Sequence, residues 1–102
     1  MSIRLRSKDI YYKKLKDLLS KKDIKKIKLK EILDDFRNDP NLFDYLLENL
    51  EYGDDIIKKN SMIMIYLILE EKEITDKEET LINKLINKYE IKITIEELKN
   101  ES

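Results

Sequence analysis

The chain has 102 residues, with 21 Lys and Arg against 22 Asp and Glu, so 42% of its positions are charged although the net charge is only −1. Apolar types make up 41%, of which 16 residues are Ile and 15 are Leu; that is enough for one small core and too much for a disordered chain. Cys, His, Trp, Gln, Ala and Val do not occur, which excludes disulfides, thiol chemistry, imidazole catalysis and nearly all zinc chemistry.

Residues 1–7 form a short basic arm with Arg4 and Arg6. Ser7 is the expected N-cap of a first helix running to about Ser20, because Tyr11, Leu15, Leu18 and Leu19 recur at i, i+4, i+7 and i+8. A second helix follows the Ser20–Asp23 break. It is clearest from Leu29, where Leu29, Ile32, Leu33 and Phe36 repeat the spacing up to Asn38-Asp39-Pro40; for its first turn, Ile24 to Leu29, an extended segment is the alternative, since Ile27 and Leu29 alternate with lysines. Asp39 is the expected N-cap of a third helix with Pro40 at its first position, where the missing N–H costs nothing. Leu42, Phe43, Leu46, Leu47 and Leu50 give it an inward face, and Gly53 ends it.

A fourth element opens at Asp54 or Asp55 and continues through Ile56, Ile57 and the apolar run Met62–Leu69. Ile and Tyr would suit a strand, but no breaker occurs from Asp54 to Glu73 and the length suits a helix. Thr75-Asp-Lys-Glu78 is a capping box that starts a fifth helix with Leu81, Ile82, Leu85, Ile86 and Tyr89 inward. After an extended Glu90–Ile93 link, a second box, Thr94-Ile-Glu-Glu97, predicts a short sixth helix. Gly53 and Pro40 are the sole Gly and Pro, which argues against hairpin-rich all-β folds. The expected fold is therefore all-α: five to six helices stacked as antiparallel hairpins in a single domain, residues 1–102.

These hairpins, 8–38, 39–73 and 75–101, start about 31 and 36 residues apart, within the range of α-solenoid repeats. The middle one resembles a HEAT or armadillo repeat. Pro40 opens its first helix, Leu46, Leu47 and Leu50 line it, and Glu51 to Asp55 makes the acidic turn. Ile57-Lys58-Lys59-Asn60-Ser61 begins its second helix, with Ile65 at the usual Leu. The resemblance covers about a third of the chain and implies a small HEAT-like solenoid or an irregular helical bundle, with the outer hairpins as caps. Armadillo repeats that grip extended peptides use a Trp and an Asn where this chain has Ile63 and Leu67, so that mode of peptide binding is not implied.

The charge is lopsided: residues 1–30 hold twelve basic and three acidic side chains, and residues 31–102 hold nine and nineteen. The basic third could track phosphates through Arg4, Arg6, Lys13, Lys14, Lys21, Lys22, Lys25 and Lys26, or be the solvated back of two amphipathic helices. A helix-turn-helix reading of 24–51 fails, because Asn41–Glu51 carries three acids and no base and phosphate would repel it. Asp34-Asp35, Asp54-Asp55 and Glu70-Glu71-x-Glu73 lack the spacing of a calcium loop and read as helix-end or solvated charge. Glu90-Ile91-Lys92 is a fragment of a nuclease pattern with no acidic partner strand. Met62, Met64 and Tyr66 read as core more readily than as an adaptable partner groove.

No apolar run approaches the roughly 20 residues needed to span a bilayer, and no apolar segment follows the basic start as in a secretory signal. A cytoplasmic protein, host or viral, is expected. The Ile, Leu and Lys excess fits an AT-rich genome and equally fits selection for heat, where ion-pair networks gain value. The expected function is that of a small non-enzymatic adaptor or regulatory module, with no catalytic residue, metal or cofactor. It would bind another protein through a helical face bearing Asp44, Glu48, Glu51, Asp54 and Asp55. The alternative is a nucleic-acid-associated protein using the basic third; a further one is self-assembly of positive end against negative end.

Overall fold

The computed structural model describes residues 12–36 and 38–100, and the expected Ser7 cap and basic arm lie outside them. Six helices are present among the described residues, and no strand. They are α1 (12–19), α2 (Lys26–Asp35), α3 (Leu42–Tyr52), α4 (Asp55–Glu70), α5 (Asp76–Lys88) and α6 (Ile95–Asn100). The all-α expectation holds.

Helix α4 lies at the centre because nothing in its middle tolerates water. Every residue from Asn60 to Leu67 is buried, and each fully buried Ile, Leu or Met is stabilised by about 1.5–3 kcal/mol relative to exposure. A strand from the same run would need sheet neighbours that no other segment supplies. As a helix it is instead covered by α2, α3 and α5. Met62, Met64 and Tyr66 belong to this core, so they form no groove for a partner.

α3 and α4 pack directly on each other and are joined by Gly53 and Asp54 alone. Gly53 has an ordinary negative φ; glycine is required by proximity, since an added Cβ would sit 2.6 Å from the Asn49 carbonyl oxygen and 2.7 Å from Ile57 Cγ2. Asp54 then caps α4, its Oδ1 accepting the Ile57 N–H at 2.9 Å.

Several local expectations need correction. Asp39 is not the N-cap of α3, which begins after Asn41. Its Oδ1 accepts the Asn41 N–H at 2.9 Å, closing an Asx turn that delays the helix until Leu42. α2 is helical from Lys26, so the extended alternative fails there, and Leu29 turns inward while Ile27 is 64% exposed. Leu81, expected inward, is 43% exposed, because α5 meets the core mainly through Ile82. The Thr94 box is reciprocal: the Glu97 N–H donates to Thr94 Oγ1 and the Thr94 N–H to Glu97 Oε1, both at 3.2 Å. At Thr75 the hydroxyl instead donates to the Glu78 carboxylate, and the Thr75 side chain makes no capping bond to the backbone of α5.

Distant side chains complete three helix C-termini. Asn60 Nδ2 donates to the carbonyls of Leu19 (2.6 Å) and Lys21 (3.0 Å), closing α1 from inside the core. Lys58 Nζ donates to Tyr89 O at 3.1 Å at the end of α5. Lys26 Nζ donates to Leu98 O at 2.7 Å in α6 and lies 5.2 Å from the centre of the Tyr66 ring. The last contact joins the first and third hairpins directly.

Replacing Asn60 by Ala leaves two carbonyls without their donors, and should lower the urea-unfolding free energy by about 1–3 kcal/mol with an unchanged m value. The C-terminus of α5 should respond in the opposite sense. Glu90 holds φ 53 and the Ile91 N–H bonds Ile86 O at 3.0 Å, a Schellman-type ending with a side chain where glycine is preferred. Glu90→Gly relieves about 1–2 kcal/mol of left-handed strain, offset in part by the greater freedom of glycine when unfolded. A higher thermal midpoint is expected.

Candidate functional site

On α3, Asp44, Glu48 and Glu51 fall at i, i+4 and i+7, so the helix turns them onto one face, and all three are exposed. The same face runs to the last residue of the helix. Tyr52, four positions after Glu48, is 77% exposed, the most open large apolar side chain described. Asp54 and Asp55 are exposed at the start of α4, although Asp54 already serves as its cap. Neither described ion pair, Lys28–Glu31 or Lys99–Glu79, involves any of these carboxylates.

This stripe works against α3 itself. Carboxylates four apart repel by about 0.2–0.5 kcal/mol per pair, and Glu51 lies in the last turn, where the helix dipole disfavours negative charge and no basic residue stands. Three of the five predicted acids therefore share one face of α3, with Tyr52 at its edge, while Asp54 and Asp55 stand at the start of α4. The signal of Tyr52 in the sequence was the spacing from Glu48 and the neighbouring Gly53, which leaves no element to cover it.

The inner side of α3 is held differently. Tyr45 Oη donates to the Tyr12 carbonyl at 3.2 Å, the two rings lie 4.7 Å apart, and the Tyr12 hydroxyl donates to the Asp39 carboxylate. Burial, reinforced by the Asp39 bond and charge, pushes the Tyr12 phenol up to about 12. Burial likewise raises Tyr45 and Tyr66. The Tyr45 phenol joins α3 to α1, and the Tyr12 phenol ties α1 to the loop before α3.

The basic candidates divide. Lys13, Lys14, Lys21, Lys22 and Lys25 are exposed. Lys26 is half-buried and committed to Leu98 O and the Tyr66 face. Arg4 and Arg6 lie outside the described residues. Among the described residues, no group of three or more carboxylates converges in a way that could hold a metal ion, and no helix is long and apolar enough to cross a membrane. Compared with protein families, with curated proteins and with solved structures, the chain matches none.

The tyrosine cluster gives a pH prediction. A phenol raised in the folded state keeps its proton after the unfolded chain has lost it, so its contribution is complete below pH 10 and disappears as pH rises towards 12. In urea titrations, the stability difference between the wild type and Tyr12→Phe should be constant to about pH 10 and shift in favour of the variant above it. A difference independent of pH would remove Tyr12 from that role.

Proposed function

We propose that the chain is a small cytoplasmic, non-enzymatic adaptor or regulatory module, whose HEAT-like α3–α4 hairpin offers its outer face to a basic segment of another protein. The observation that carries this reading is the exposed stripe Asp44, Glu48 and Glu51 with Tyr52 beside it, free of ion pairs among the described residues and set against the electrostatics of its own helix. A Lys- or Arg-rich partner would neutralise the carboxylates and stack a cation on the open tyrosine ring. Tyrosine is also among the residues most often dominant in interfaces.

A second reading, association with nucleic acid, draws on the exposed lysines 13, 14, 21, 22 and 25, none of which is in an ion pair among the described residues. The two readings differ in what the protein retains and in which residues retain it.

The test uses the full chain and its Asp44→Lys, Glu48→Lys, Glu51→Lys triple variant as baits on lysate of the cell that encodes it, with protein and nucleic-acid fractions analysed separately. The substitutions leave the Asp54 cap intact and replace one row of like charges by another at the same spacing, with the gain at Glu51 in the last turn offset by the loss at Asp44 in the first, so helical circular dichroism should be unchanged and the thermal midpoint close to that of the wild type. Basic proteins should be held by the wild type and lost by the variant. Recovery of the same proteins by both, or of nucleic acid alone, would refute the acidic-face reading.

A further inference from the structure

The loop between α1 and α2 and the first half of α4 flank a half-open cavity of about 240 Å³, lined by Lys22, Asp23, Ile24, Lys25, Lys26, Lys59, Asn60 and Ile63. The backbone around it is pinned. Asn60, itself buried, spends both amide hydrogens on the Leu19 and Lys21 carbonyls, which fixes the loop that carries Lys22 and Lys25 against α4. Ile24 and the buried Ile63 form an apolar wall, which strengthens any charge interaction beside it.

The charges around the cavity are not balanced. Lys26 directs its ammonium to Leu98 O, which leaves Lys22, Lys25 and Lys59 against the one carboxylate of Asp23. None of these four residues enters an ion pair among the described residues. Lys25 also precedes α2 with no side-chain cap, and the first turn of that helix has no acidic residue, so Asp23 is the one carboxylate in the lining beside that helix start. The volume falls below the roughly 300–1,000 Å³ of sites that enclose whole small molecules, and suits one compact anionic group.

We infer that this cavity binds a phosphate group through Lys22, Lys25 and Lys59. Two sources present that chemistry: a free phosphate compound and the backbone of a single-stranded nucleic acid. The site stands apart from the acidic face, since none of the α3 carboxylates lines it.

Isotope-labelled full-length protein, titrated at low salt with inorganic pyrophosphate and separately with a twelve-nucleotide thymidine strand, tests the inference through its amide signals. Shifts should centre on residues 22–27 and Asn60. A Lys25→Gln, Lys59→Gln variant should lose them and bind the effective probe at least tenfold more weakly, and Lys22→Gln, in an exposed loop, should weaken it without touching the packing. Lys77→Gln, Lys84→Gln on α5 should bind as the wild type. Tighter binding of the strand, with a log affinity against log salt slope about 1.4 smaller in the double variant, identifies a backbone phosphate; pyrophosphate binding alone identifies a free compound. No response to either probe, or shifts that persist in both cavity variants, would overturn the site, and persistence would leave association by the other lysines standing.

Discussion

The structure depends on covering a helix that is apolar on all sides. An ordinary amphipathic helix needs one neighbour for its apolar stripe, but α4 is buried continuously from Asn60 to Leu67 and must be enclosed. Leu46 and Leu50 come to the core from α3, Leu29 and Leu33 from α2, and Ile82 from α5. The other helices therefore carry narrow apolar faces and broad charged ones, which reconciles a small core with a chain so rich in charge.

Enclosure creates a second requirement, because helices that end close to the core bring unpaired carbonyls with them. A protein with a single glycine has few glycine-based endings to use. Here the carbonyls of α1 and α5 are met by Asn60 and Lys58 of α4, and that of α6 by Lys26 of α2. These bonds hold the helices in one relative arrangement, which apolar packing alone specifies less sharply. They also explain why Lys26, one of a run of lysines, behaves unlike its neighbours: it is built into the fold, while Lys22 and Lys25 remain at the surface.

The same arrangement separates the charge in space. Basic side chains gather around the α1–α2 loop and reach across to Lys59, whereas the carboxylates of α3 form a stripe that ends at Tyr52. Neither region is neutralised by ion pairs among the described residues. Two surfaces of opposite sign on so small a protein suit ligands of opposite charge.

Periodicity gave the helical class and the shared face of Asp44, Glu48 and Glu51, because positions three and four apart can be counted from the chain, while length without a breaker gave the helical state of the Met62–Leu69 run and capping boxes marked the starts of α5 and α6. Local chemistry also placed the start of α4 at Asp54 or Asp55 and foretold the Thr94 box, whose partners lie within three residues. Tertiary structure decided what depends on residues far apart: the service of Asn60 to a helix some forty positions earlier, the engagement of Lys26, the outward turn of Leu81 and the meeting of Lys59 with the α1–α2 loop. Spacing states which side chains share a face. Which face is covered, and which polar atoms find partners, follows from the packing of every helix against α4, a long-range condition that no local pattern encodes.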